Sequence, residues 1–176
     1  MEFYDVVKAR YSYRGRFKEQ PVPDEHLRKI VRAGLDAPSG VNLQTTEFVI
    51  VTDAAKVREL AAIAGRESMA TAPAVIVALC DTGASYKGLS FWLEDCAAAT
   101  ENMLLAIAAL GYASCWIDGA LRRERRAEKV AQLLGAPPSR TARIMLPLGV
   151  PAEAGPRKEK KPFSERAWFN AYKAGP

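Results

Sequence analysis

Three arginines and a hydroxyl lie close together near the start of the chain, as Arg10, Ser12, Arg14 and Arg16 in "ARYSYRGRF". Guanidinium forks around a hydroxyl are the donor set that suits a phosphate group. In a helix Arg10 and Arg14 share a face, and in extended chain residues 10, 12 and 14 share a side. Solvated arginines at a helix end, where cations favour the helix dipole, explain the same residues without any ligand.

Three further stretches carry suitable groups. "APSGVNLQ" offers Pro38, Ser39, Asn42 and Gln44, either to read the polar edge of a heterocycle or to satisfy their own turn. "SCWIDG" ends in Asp118 and Gly119, and a glycine lets backbone approach a flat ligand closely; an ordinary turn reads the same way. "PRKEKKP" is a second basic knot, with Arg157, Lys158, Lys160 and Lys161, at the far end of the sequence. Neither G-x-G-x-x-G nor G-x-x-x-x-G-K-[ST] occurs, so the Rossmann and P-loop fingerprints are missing.

His26 is the only histidine, which argues against Ser-His-Asp, Cys-His and multi-histidine metal chemistry. Cys80, Cys96 and Cys115 are few, odd in number and spread out, so neither a disulfide framework nor a zinc site is expected. A net charge of +5 leaves room for anionic ligands. Acids are mixed with bases, as in "LRRERRAEK", so no nucleic-acid partner is expected. "MEFYDVVKAR" has no leader pattern and "MLLAIAALGYASCWI" is too short to span a bilayer, so a cytoplasmic protein without a membrane partner is expected.

The elements that must position these groups are legible from periodicity. Residues 2 to about 10 read as a short amphipathic helix through Phe3, Val6 and Val7. Leu27, Ile30, Val31 and Leu35 mark a second helix, which "DAPSGVN" stops. "EFVIVT" reads as a strand, Asp53 caps a third helix, and Gly65 ends it. "APAVIVALCD" reads as a strand buried on both faces. A long, alanine-rich helix from about Ser90 to Leu110 is expected to be central and buried. "YASCWI", a surface helix over "ALRRERRAEKVAQLLG" and the strand "TARIMLPLGV" follow. The polar tail from Pro151 carries Phe163, Trp168, Phe169 and Tyr172, which need something to cover them: their own domain or a partner subunit. One domain over residues 1–176 is expected, with about 151–176 as its extended tail.

Singly these features are ambiguous, but their order along the chain is distinctive. "RYSYR", "PSGVNLQ", "CWIDG", "PLGVP" and "KEKKP" follow one another as in the FMN-dependent nitroreductase family, and the resemblance covers nearly the whole chain. It implies an α+β fold with a central, mixed but mostly antiparallel sheet flanked by helices. It also implies a long buried central helix and a C-terminal tail that wraps the partner of a homodimer.

The resemblance further implies FMN at the subunit interface, with NADH or NADPH as transient reductant. Arg10 and Ser12, with Tyr11 between them, would hold the phosphate and ribityl end. Lys158 and Lys160 would close over the same phosphate, with Arg157 able to replace one. Arg14 would lie near the pyrimidine edge or the ribityl chain. Pro38, Ser39 and Asn42 would reach the flavin from the partner subunit, and Gln44 would support that loop. Trp116 and Ile117 lead to Asp118 and Gly119, whose backbone would approach flavin N5, the atom that carries the chemistry. Trp116, Phe91 and Trp92 line the pocket or pack in the core; the sequence leaves both open.

The expected activity is hydride transfer from NAD(P)H followed by reduction of a nitroaromatic, quinone or related acceptor, in a ping-pong cycle. The alternative is a flavin carrier or sensor without that activity. Two departures from the family pattern stand out. Thr45 and Thr46 replace a frequent Pro-Trp. "GRESM" puts Gly65 and Ser68, with Arg66 beside them, where many members carry an Asn and a Lys at the pyrimidine edge.

Overall fold

The structure is a computed structural model that describes residues 2–172. The expected α+β fold is present. In chain order the elements are α1 (Phe3–Ala9), α2 (Asp24–Leu35), β1 (Thr46–Val51), α3 (Ala54–Ala64), β2 (Ala74–Asp81), α4 (Trp92–Ala109), β3 (Ala113–Ser114), α5 (Arg126–Leu133) and β4 (Arg140–Gly149). The four strands form one sheet in the order β1-β2-β4-β3, and each pair is antiparallel. A single parallel bridge between Ser12 and Ser114 adds the mixed element.

β2 is buried almost end to end, as its unbroken apolar run predicts. Its side chains alternate between two cores. Val75, Val77 and Leu79 face one, with Val57, Leu60 and Ala64 of α3 and Val130 of α5. Ala74, Ile76, Ala78 and Cys80 face the other, with Leu27 and Ile30 of α2 and Cys96, Met103 and Ile107 of α4. The sheet is therefore a filled middle layer with a helix pair on each side. Cys80, Cys96 and Cys115 are all buried free thiols.

Local signals explain several boundaries. The Asp53 side chain accepts from the Lys56 N–H, and Gly65 adopts φ 63° at the end of α3. Gly111, at φ 82°, follows α4. α4 is buried along one side only. Leu93 is exposed and Ala97, Ala98 and Leu105 are half-covered, because only one sheet lies beneath the helix.

Two elements are shorter than their sequence pattern. α5 begins at Arg126, not near Ala120, because Glu124 and Arg125 take left-handed φ values of 53° and 56°. Hydrogen-bonded turns fill the gap, and Arg122 is drawn back onto Asp118. β3 holds only Ala113–Ser114 of the expected "YASCWI" strand. Cys115 and Trp116 leave the ladder, and Ile117 rejoins β4 through a bridge to Met145.

After β4 the chain runs back along the first segment. Lys18 N–H donates to the Val150 carbonyl and Ala152 N–H to the Arg16 carbonyl, both at 2.9 Å. Beyond Pro151 regular structure is confined, among the described residues, to one 3-10 turn at Phe163–Glu165. The expected tail extends to residue 176, and its last four residues lie outside the described ones. Among the described residues no helix is long and apolar enough to cross a membrane.

Candidate functional site

The segment after α1 is pinned by its aromatics. Tyr13 and Phe17 are buried and meet edge to face at 5.2 Å between ring centres. Tyr13 N–H donates to the Ser114 carbonyl at 2.8 Å, and its hydroxyl donates to the Arg16 carbonyl. Gly15 is required beneath that ring, since a Cβ there would sit 2.6 Å from the Tyr13 hydroxyl. Arg10, Ser12 and Arg14 alternate with these anchors and line a cleft, as extended chain predicts.

That cleft is basic. A cavity of about 620 Å³ is lined by Lys8, Arg10, Tyr11, Ser12, Arg14, Arg157, Lys158 and Lys160, among others, and no carboxylate lines it among the described residues. The two basic knots of the sequence thus meet in space. Arg157 fastens the tail: its Nη1 donates to the Lys8 carbonyl at 2.9 Å, and its guanidinium lies 5.0 Å from the Tyr11 ring centre. Arg10 is steadied by Glu101 of α4 at 3.4 Å.

A second cavity, of about 480 Å³, adjoins the first at Arg14, which lines both. Trp116, Ile117, Asp118 and Gly119 form part of its wall, together with Gly65, Arg66, Ser68, Arg123 and Arg126. A Cβ built on Gly119 would meet no atom within 4 Å, so the glycine keeps that wall open. The Asp118 carboxylate sits in an arginine clamp. It accepts from Arg143 Nη1 at 2.5 Å and from Arg122 Nε and Nη2 at 2.8 and 2.6 Å. Cys115 lines the cavity, but burial pushes its thiol above the ordinary value against the pull of Arg14 and Arg66.

Of the sequence candidates, Arg10, Tyr11, Ser12, Arg14, Arg157, Lys158 and Lys160 meet in the first cavity, and Arg14, Trp116, Ile117, Asp118 and Gly119 in the second. Trp116 also packs against the α2–α4 core, as does Trp92, while Phe91 covers Gly40. Pro38, Ser39, Asn42 and Gln44 reach neither cavity. Pro38, Ser39 and Gln44 line a separate hollow of about 120 Å³ beside Asp95. Asp95, buried at the start of α4, accepts from Gly40 N–H at 2.8 Å and from the Thr45 hydroxyl at 2.7 Å. It holds a loop in which Val41, Asn42 and Gln44 all have positive φ.

Sequence reasoning gave no role to Arg123, Arg126 or the Arg143–Asp118 pair. Their only signal was a surplus of arginine around the Asp-Gly turn. Among the described residues no cluster of His, Cys, Asp and Glu is arranged to hold a metal ion.

Sheet, helices and two basic cavities that share Arg14 define a chain of nitroreductase-like architecture. The model described as the Nitroreductase family matches residues 7–68 and 64–150, and the chain belongs to that family. A protein of Archaeoglobus fulgidus, named for NADH dehydrogenase and NAD(P)H nitroreductase, is 33% identical over 165 residues, covering 93% of this chain and 90% of that one. The FMN-dependent nitroreductase of Clostridium difficile superposes with a TM-score of 0.82 at 26% identity, over 95% of this chain and 98% of that one. The NADPH:FMN oxidoreductase of Vibrio harveyi, solved with NAD+, gives a TM-score of 0.84 at 29% identity, over 98% of this chain and 78% of that one.

Proposed function

We propose that the chain is an FMN-dependent oxidoreductase that takes reducing equivalents from NADH or NADPH and passes them to a small acceptor such as a nitroarene or quinone, in a ping-pong cycle. One observation carries the reading: a basic cavity with no carboxylate among its described lining residues shares Arg14 with a second cavity that has a bare glycine wall. An elongated ligand with a phosphate at one end and a flat polar ring at the other fits that pair. The names of the relatives favour the same chemistry.

The donor set fits FMN. Arg10, Ser12, Lys158 and Lys160 would hold the phosphate, with Arg157 keeping the tail in place. Arg14 would reach the ribityl or pyrimidine end, and Arg66, which lines the same cavity, would supply a cation at the pyrimidine edge. The open backbone at Asp118 and Gly119 would lie against the reacting edge of the ring. When bound there, FMN supplies hydride acceptance and electron transfer, so no protein nucleophile is needed. The residues bind, orient and place positive charge where reduction adds negative charge.

A homodimer completes the proposal. Pro38, Ser39, Asn42 and Gln44 lie outside both cavities of their own chain and are available to a partner's. Phe3, Tyr4 and Val7 of α1 and Phe163, Phe169 and Tyr172 of the tail are exposed apolar groups that a second copy would cover.

The test is anaerobic. The purified protein should be yellow, NADH or NADPH should bleach the flavin band, and Arg10→Ala should weaken FMN retention. A protein that takes up no FMN on titration sinks the reading. Bound flavin that neither nucleotide reduces would leave a carrier or sensor.

A further inference from the structure

We infer that the ring cavity also takes a negatively charged group of a reacting partner, held by Arg123 at its lip. The inference rests on the flavin reading above and extends it to a substrate class. Four arginines line this cavity, Arg14, Arg66, Arg123 and Arg126, against one carboxylate, Asp118. That carboxylate is already engaged by Arg122 and Arg143. The cavity therefore holds more positive charge than its own walls compensate.

Two of the other arginines are engaged elsewhere. Arg126 donates to the Ala64 carbonyl at 3.2 Å and pairs with Glu124 at 2.9 Å. Arg14 donates to the Ser12 carbonyl and faces both cavities. The phosphate has its own cations in the adjoining cavity. Arg66 has no side-chain partner among the described residues either, and its guanidinium serves the single negative charge that two-electron reduction places on a flavin ring. Arg123 is left over. Among the described residues it makes no ion pair and no side-chain hydrogen bond.

Its placement suits an incoming reactant. Arg123 follows Gly119 through successive turns, closed by Leu121 N–H to the Asp118 carbonyl at 2.8 Å and Arg126 N–H to the Arg123 carbonyl at 2.9 Å. It thus stands beside the stretch of backbone assigned to the reacting edge, where the wall is open. A concave site of one sign focuses its field and gathers counter-charged reactants. Carboxylate and phosphate are the anions whose geometry a guanidinium matches. Two sources offer that chemistry: the 2′-phosphate that distinguishes NADPH from NADH, and a carboxylate on an aromatic acceptor.

Arg123→Gln and Arg123→Lys test this. Each protein is titrated with 4-nitrobenzoate and nitrobenzene, and with NADPH and NADH, following tryptophan fluorescence, because Trp116 lines the cavity. Flavin content is read separately by absorbance. In Arg123→Gln the preference for the charged member of at least one pair should fall roughly three- to tenfold, and Arg123→Lys should restore part of it. A loss confined to the nucleotide pair puts the anion on the reductant; a loss confined to the nitroarene pair puts it on the acceptor. Equal changes for charged and neutral members, or no change in either pair, overturn the inference. A wild-type protein that takes up no flavin overturns the proposed function instead, and the fluorescence titration still decides the role of Arg123.

Discussion

Arg143 Nη1 reaches from β4 to Asp118 Oδ1 at 2.5 Å, and so ties the sheet to the turn that walls the ring cavity. The Arg143 guanidinium also lies 5.8 Å from the Trp92 ring centre. The two paired side chains are only 15% and 18% exposed. Removing Asp118 leaves the Arg143 charge largely cut off from water. Residual solvent access reduces the usual cost of breaking a buried pair, so Asp118→Ala is expected to lose about 1–2 kcal/mol. Arg143→Gln should lose less, because Arg122 still pairs with Asp118, and the double variant should lose less than the sum. Urea unfolding of the four proteins measures this. Additive losses would show that the pair is not coupled.

Gly119 separates folding from binding. Its φ is not in the left-handed region, and a Cβ there meets nothing within 4 Å, so the chain alone tolerates alanine. A methyl group on that wall would nevertheless stand where the flavin ring is proposed to lie. Gly119→Ala should keep the wild-type melting temperature of the apo protein and weaken FMN binding about tenfold or more. Flavin fluorescence titration beside a thermal melt gives both readouts. Unchanged FMN affinity would move the ring elsewhere.

The sequence carried most of the architecture because its signals were local. Asp53, Gly65 and Gly111 mark helix ends through chemistry that needs only near neighbours, and the apolar run of β2 announces burial on both faces. Where tertiary contacts competed, the pattern misled. "ALRRERR" has helical composition, yet Arg122 is drawn to Asp118 and Arg126 to the Ala64 carbonyl, and the helix starts late. The meeting of "RYSYR" with "PRKEKK" was legible only through family resemblance. Nothing local links residue 10 to residue 160; the return of the chain past Val150 does. The Asp95 anchor was unreadable for the same reason, since its partners Gly40 and Thr45 lie on a loop far upstream in the chain.

Asp95 is a buried carboxylate whose named partners are both neutral donors of the loop after α2. Asp95→Ala leaves the Gly40 N–H and the Thr45 hydroxyl without that acceptor, a loss of about 1–3 kcal/mol. The positive-φ residues Val41, Asn42 and Gln44 should then relax. Limited proteolysis should cut near residues 40–44 in the variant and spare the wild type. Equal protection in both would show that the loop holds its shape without Asp95.

Asp53 gives a pH signature. Its hydrogen bond from the Lys56 N–H holds the carboxyl below the ordinary value of 3.8. A carboxylate depressed in the folded state contributes stability that is fully present above its unfolded value and is lost as pH falls through the folded one. Asp53→Ala should therefore melt at a lower temperature than wild type at pH 7. The gap should narrow as pH falls below about 3.8. Thermal melts across that range measure it. A gap that widens in acid would reverse the assigned sign.

The tail carries aromatic surface that the described residues leave largely uncovered. Phe163, Phe169 and Tyr172 are 67%, 82% and 75% exposed. Their rings meet mainly one another, Phe163 with Phe169 at 6.1 Å and Trp168 with Tyr172 at 4.3 Å. Each such ring gains about 1.5–3 kcal/mol when fully buried, more than a solvated segment can recover by self-contact. If a second copy supplies the cover, truncation after Pro162 should raise the dimer dissociation constant at least tenfold, since each interface loses two tails. The exposed rings lie outside both cores, so the truncated chain should keep its secondary structure by circular dichroism. Sedimentation velocity across a dilution series reads the association directly. A truncated chain that remains dimeric at every concentration where the wild type is dimeric would free the tail from that role and leave α1, with its exposed Phe3 and Tyr4, to carry the interface.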